Sequence, residues 1–425
     1  MTITQASNGA PSVSATGSTS SAGSESTTGS RAEWRAAREV AFAAASAVPS
    51  ETVPLEAATG RVLAEPVTAR HDVPHYASSA MDGWAVAGVG PWAIVNADSL
   101  RPGEATAIVT GGVIPRGADA VVRSEIAEHA HGSLAAPTPK AGHHVRSAGE
   151  EARRGEVVIA PGTMLNPAHI ALAAGAGHDT LGVRRPVLAA LALTGGEVVT
   201  SGIPAPGQVR DSFGPQLPAL LGMLGASVTS SSRVADTLDD TFAALDRPDV
   251  DVVVSTGGTG GSDRDHLRAA LVELGAELLI DGIRMRPGGP TLLARLPDAR
   301  MADARLPDAR LPGASLPHAR FVLALPGNPL AAMLSLLSVG GPLLAGLRGA
   351  APAPLGEVLL GVAVDGVTGA DVLMPYRLEH GAAVPNRHRA SGMMRGLADA
   401  AGVLVVPPAG AEKGDRVATI ALPWN

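Results

Sequence analysis

The sequence predicts a multidomain α/β plus β fold, with a parallel α/β domain accompanied by β modules, on three observations. First, "VLAALAL" (187–193), "DVVVS" (251–255) and "FVLAL" (321–325) are short, nearly continuous apolar runs, the composition of strands buried on both faces. Second, helical segments, "PQLPALLGMLG" (215–225) and "RDHLRAALVELG" (264–275), lie between them, and strands alternating with helices imply a parallel sheet. Third, Gly, Pro and short Val/Ile runs between His71 and His144, and pieces such as "GVLVVPP" after about Leu355, read as β modules.

A chain of 425 residues is too long for one core, so several domains are expected. Aromatics are only 2% of residues, so the cores must rest on Ala, Val and Leu. A net charge of −7 argues against nucleic acid or an anionic membrane as the main partner, though not against a local anion site. With no cysteine, disulfides, thiolate metal ligands and Cys nucleophiles are all excluded. No uninterrupted apolar run reads as a membrane span and no secretory signal is visible, so the expected location is cytoplasmic.

Residues 1–30 are Ser, Thr, Gly and Ala with almost no large apolar group, and are expected to form a disordered tail. Ser30 and Glu33 then make a capping-box pattern ahead of a first helix carrying Trp34, Val40 and Phe42. "NPAHIALAAGAGHDTL", after Pro161, returns to helix. Residues 296–320 are five tandem pentads, LPDAR-MADAR-LPDAR-LPGAS-LPHAR. Proline in four of the five rules out a helix, and the period suits no strand, so an exposed insertion without function is expected.

The chemistry concentrates in loops that follow strands. "STGGTGGSDRD" (255–265) places four glycines between a strand and a helix expected near Asp263. Backbone N–H groups there can face an anion, helped by the positive helix end; the plain alternative is a glycine-rich turn capped by Asp263. "LTGGE" (193–197), "VRDS" (209–212) and "LPGNP" (325–329) are further loops of the same domain. Such loops gather along one sheet edge, so Glu197, Asp211 and Asp265 are expected to converge there around a divalent cation bridging phosphate oxygens. Each acid alone also reads as a helix cap or a solvated residue. Arg264, Arg284 and Arg286 are the expected cations.

Read together, these stretches resemble the molybdopterin molybdenumtransferase family (MoeA and the equivalent region of gephyrin). The motifs are "SSAMDGWAV" (78–86), "IVTGGVIPRGADAVVRSE" (108–125), "RSAGEEARRGEVVIAPGTML" (146–165), "TGGE", "RPGGP" (286–290) and "LPGNP", in family order over about residues 31–425. The resemblance implies a linking and dimerisation region in two segments (31–70 and 146–182), an inserted β domain (71–145), a molybdopterin-binding α/β domain (183–350) and a C-terminal β domain (351–425). It implies a homodimer whose site lies between the α/β domain of one subunit and the "SAMD" region of the other. The implied reaction joins molybdate to the dithiolene of adenylylated molybdopterin, releases AMP and uses Mg²⁺. Partners implied by that role are a molybdopterin adenylyltransferase and recipient molybdoenzymes. By position, Asp82, Thr110, Glu197 and Asp265 match reactive residues, with Asp82, Glu197 and Asp265 as metal ligands and Asp236 as another acid. Thr256, Gly257, Gly258, Thr259, Gly260, Arg286, Pro326, Gly327, Asn328 and Pro329 match cofactor-binding positions.

Three departures from the family pattern stand out. Arg286 and Gly289 occupy positions where lysines are usual, and Gly196 replaces an acid. The loop "TGGTGGSDRD" is also similar to that of molybdopterin adenylyltransferases. Two further readings therefore stay open: a non-catalytic molybdopterin-binding scaffold, and adenylyl transfer, which would leave the "SAMD" module unexplained.

Overall fold

The computed structural model describes residues 31–259, 266–297 and 319–425. The tail reading for 1–30, Ser30 as a cap, Asp263 as a helix start and the body of the pentads lie outside the described residues.

The three apolar runs form the centre of the predicted sheet. Strands β1 (Val187–Leu193), β2 (Ala226–Arg233), β3 (Val252–Thr256), β4 (Glu277–Asp281), β5 (Leu292–Leu296) and β6 (Arg320–Leu325) lie in the order β2-β1-β3-β6-β5-β4. Because alternate side chains of a strand point to opposite faces, each run feeds two cores. Ala189, Leu191, Val252, Val254, Phe321 and Leu323 enter one, and Ala190, Ala192, Val253, Val322 and Ala324 the other. Helices cover both faces. Leu217, Leu220 and Leu221 of α3 (Phe213–Met223) cover the first, and Leu245 of α4 (Leu238–Leu245) with Leu267, Ala270 and Leu271 of α5 (His266–Glu273) the second.

The sheet is not wholly parallel. β2, β1, β3 and β6 are parallel, but β5 and β4 run antiparallel at one edge. Between β4 and β5 the chain leaves the sheet, and Ile283–Arg286 pairs instead with Asp371–Glu379 of the C-terminal sheet. β5 and β6 are neighbours with Leu296 opposite Arg320, so the pentads connect the two ends of a hairpin.

The first helix, α1 (Trp34–Ala44), packs into the α/β domain and not with the linking segments. Trp34, Ala37 and Ala41 join the larger core, and Trp34 Nε1 donates to Ser338 Oγ at 2.9 Å. Glu33 is the N-cap of α1 and makes no side-chain cap bond, so it does not take the third helical position that the expected capping box requires of it. The helix predicted after Pro161 is α2 (Pro167–Gly175), where the Asn166 side chain accepts from the His169 N–H and the His169 side chain answers it. Strand Ser50–Pro54 pairs with Thr180–Arg184, so segments on either side of the β module share a small core of Leu63, Ile159, Leu165 and Leu181. The module between them is a six-stranded sheet containing Gly83–Val86, Glu104–Ile108 and Ala120–Arg123.

α6 (Pro329–Ser335) continues through one π-helical turn into α7 (Gly341–Leu347). Contrary to the reading of the sequence, this run of 19 residues is long and apolar enough to cross a membrane, with mean hydropathy 1.9, yet 83% of it is buried inside the protein. It is the central helix of the larger core.

Candidate functional site

A cavity of about 630 Å³ opens at the carboxyl ends of β1, β3 and β6, where an open α/β sheet places its ligands. Its walls come from the loops singled out in the sequence: Thr194 to Val198, Val209 to Phe213, Thr256 to Gly258 and Gly327 to Pro329. A two-stranded ribbon, Val198–Val199 alongside Val209–Arg210, ties the "TGGE" and "VRDS" loops together. Gly257 has φ +78°, and a Cβ there would lie 2.5 Å from Thr194 Oγ1. Only glycine lets the β3 turn fold against the β1 turn.

The strand beneath that turn holds an unusual pair. Ser255 and Thr256 are 3% and 1% exposed, both line the cavity, and neither hydroxyl oxygen has a hydrogen-bond partner among the described residues. A buried polar group left unpaired costs about 1–3 kcal/mol, so two in one wall mark a surface suited to a polar ligand.

The acids divide by role. Asp211 receives the N–H groups of Phe213 and Gly214, each at 3.0 Å, and pairs with Arg233. Burial alone would raise its pKa, but the Gly214 N–H, the Arg233 guanidinium and the Phe213 N–H outweigh it and hold the carboxyl below the usual range. Asp211 is therefore a helix-capping residue on the wall and is not available to a metal. Glu197 and Asp236 flank the "TGG" turn: a Cβ at Gly195 would lie 3.2 Å from both Glu197 carboxylate oxygens, and one at Gly196 would lie 4.0 Å from Asp236 Oδ2. Neither makes an ion pair among the described residues.

Asp82 and Thr110 are brought together, but elsewhere. In the β module the Asp82 carboxylate accepts the Thr110 N–H at 2.7 Å and its hydroxyl at 2.9 Å, which lowers the acid's pKa. Both residues are exposed and neither lines the cavity. Gly83 beside them is compulsory, because a Cβ would overlap the Val122 carbonyl oxygen.

Of the expected binding residues, Thr256, Gly257, Gly258, Gly327, Asn328 and Pro329 line the cavity with Glu197 and Asp236. Thr259 and Pro326 are buried behind it, and Gly260, Arg264 and Asp265 lie outside the described residues. Arg284 and Arg286 do not reach the cavity: they sit exposed on Ile283–Arg286, the strand that joins the C-terminal sheet. The described basic side chains on the wall are Arg210 and His266, neither of which stands out in the sequence. Ser255 was read only as strand. Gly392 of the C-terminal domain also lines the cavity, and the adjacent Ser391 carbonyl accepts from the Ala331 N–H at 3.1 Å. That closure has no local signal, since some sixty residues separate it from "LPGNP".

Comparison with known proteins bears on this site directly. Residues 32–177 match the model for the MoeA N-terminal region (domain I and II), and residues 190–346 match the probable molybdopterin binding domain. The molybdopterin molybdenumtransferase of Nostoc sp. is 32% identical over 330 residues, 71% of this chain and 70% of that protein. The chain belongs to the molybdopterin molybdenumtransferase family. A relative of that name from Bacillus subtilis is 33% identical over 277 residues, 59% of this chain and 64% of the relative. The molybdopterin biosynthesis MoeA protein of Pyrococcus horikosii superposes with a TM-score of 0.72 at 25% identity, over 92% of this chain and 99% of that one. This member of the family is thus an enzyme of molybdenum cofactor biosynthesis, with a MoeA-like multidomain α/β plus β fold. The match to both domain models accounts for the "SAMD" module that adenylyl transfer alone would leave unexplained.

Among the described residues no three His, Asp or Glu side chains gather as a metal site. Glu197, after β1, and Asp236, after β2, supply two carboxylates beside Gly195 and Gly196, a pair that suits Mg²⁺ where phosphate oxygens and waters complete the shell.

Proposed function

We propose that the chain joins molybdate to adenylylated molybdopterin and releases AMP, with the ligand held in the cavity at the carboxyl edge of the sheet. The observation that carries this reading is the pair of unpartnered hydroxyls, Ser255 and Thr256, beneath a glycine turn. Phosphate oxygens are strong acceptors, and the two hydroxyls with the Gly258 N–H supply donors without adding charge, the Gly257 N–H being held by the Leu325 carbonyl. Arg210, which makes no ion pair among the described residues, adds a cation at the wall. Mg²⁺, held by Glu197 and Asp236, would neutralise phosphate charge so that two anions can meet. Gly392 and Ser391 close the C-terminal side and limit entry of water. Rate enhancement then comes from positioning and electrostatics, with no protein nucleophile.

Asp82 and Thr110 enter through a second subunit. Their exposure and their absence from the cavity wall support a homodimer in which each pair faces the partner's cavity. The setting is cytoplasmic, between the adenylyltransferase that supplies the ligand and the molybdoenzymes that receive the product. Two experiments test this. Incubating the protein with adenylylated molybdopterin and molybdate should give a molybdenum-bearing pterin; an unchanged pterin would overturn the assignment. Mixing Asp82→Asn with Glu197→Ala subunits should restore up to about half of wild-type activity per mixed dimer. Exchange of subunits without recovery would refute the shared site.

A further inference from the structure

A second concavity, of about 270 Å³, lies at the opposite edge of the α/β sheet, where β1 and β2 begin. Four arginines line it. Arg61 comes from the first linking segment, Arg184 ends the strand Thr180–Arg184 that pairs with Ser50–Pro54 of that segment, Arg185 leads into β1, and Arg348 follows α7.

Their pairing is incomplete. Arg185 is matched by Asp251 through two 2.7 Å bonds, and Arg61 by Glu51. Arg184 and Arg348 face no carboxylate among the described residues. Arg184 spends one N–H on the Val48 carbonyl at 3.1 Å, and Arg348 one on the Leu224 carbonyl at 3.3 Å. A guanidinium has five N–H donors, so carbonyl capping explains a minority of them. Burial lowers the Arg348 pKa, a sign of a desolvated cation without a counter-ion. Gly225 makes room for it: with φ +87°, any Cβ there would sit 2.5 Å from Arg348 Cζ.

We propose that this concavity is a binding site for a free tetrahedral dianion of phosphate or sulfate size, held between Arg184 and Arg348. Two unbalanced guanidinium groups match the charge of such an ion, and their planar forks match its oxygens. No aromatic ring lines the pocket, so nothing there would recognise a base. Because Arg184 ends a strand paired with the first linking segment and Arg348 follows α7 of the α/β domain, the bound ion would clamp one to the other.

The test uses the full chain and inorganic phosphate, followed by titration calorimetry and thermal melting at fixed ionic strength with chloride as the control. Saturable phosphate binding with a rise in melting temperature is expected. Arg184→Gln and Arg348→Gln should each weaken it about tenfold or more, from the loss of charged hydrogen bonds. Thr256→Val, in the other cavity, should leave it unchanged. Arg184→Gln removes a single carbonyl bond, so it keeps the test decisive if Arg348→Gln fails to fold. No phosphate binding above chloride, unchanged binding in Arg184→Gln, or loss in Thr256→Val would each overturn the assignment. Tighter binding of AMP than of phosphate would overturn the choice of a free oxyanion.

Discussion

Replacing Thr256 by Val changes one hydroxyl to a methyl of nearly the same shape, and the structure gives the consequences opposite signs. Thr256 is 1% exposed and its hydroxyl has no partner among the described residues. Removing an unpaired buried hydroxyl relieves a cost of about 1–3 kcal/mol, so the ligand-free protein should become more stable. For a unit the size of the α/β domain, 1 kcal/mol corresponds to a rise in melting temperature of about 2 °C. The same hydroxyl is a donor to the bound phosphate in the proposed complex. Its loss should weaken adenylylated molybdopterin by roughly 1.5–3 kcal/mol, or about ten- to a hundredfold in Kd. Scanning calorimetry of the ligand-free protein and equilibrium titration with the ligand read the two effects separately. A lowered melting temperature with unchanged affinity would refute the reasoning, because the hydroxyl would then be a satisfied structural group.

Three other perturbations probe different levels of the account. Gly83→Ala forces a Cβ onto the Val122 carbonyl and should destabilise the β module by about 2 kcal/mol or more, seen as an earlier melting transition. Replacing residues 298–318 by a short Asn-Gly turn should leave melting and activity within error, because Leu296 and Arg320 already pair across the gap. Asp211→Asn should cost roughly 1.5–3 kcal/mol at neutral pH through its charged hydrogen bonds. Since the folded-state pKa of Asp211 is lowered, its contribution is present above the ordinary carboxylate pKa and fades as pH falls through the lowered value. Melting curves from pH 6 down to pH 2 should therefore converge for the wild type and Asp211→Asn.

What the sequence shows and hides follows from how locally each feature is encoded. β1, β3 and β6 are legible because both of their faces are buried, leaving continuous apolar runs. β2 is not: "ASVTSSSR" is an edge strand with mostly exposed alternate residues, and its serines resemble a loop. The antiparallel pair β4–β5 escapes notice because the chain detours into another sheet between them. The place of α1 rests on long-range contacts, such as those of Trp34 and Arg38 with Ser338, which no pattern near residue 34 announces. At the site, glycine and proline turns betray the loops, since backbone shape is written in those residue types. The unpartnered hydroxyls, the commitment of Asp211 to Arg233 and the reach of Gly392 depend on folded neighbours. Arg286 misleads for the same reason, because its motif is local and its strand pairing is not.

The central claim is that this cavity both binds adenylylated molybdopterin and turns it over with molybdate. The most direct test is the rate of AMP release from that ligand in a single turnover, with and without molybdate, for the wild type and Glu197→Gln. The account predicts AMP release that requires molybdate and is strongly slowed in Glu197→Gln, while ligand affinity changes much less. Tight binding without AMP release under either condition would contradict it and identify the protein as a non-catalytic carrier of the pterin.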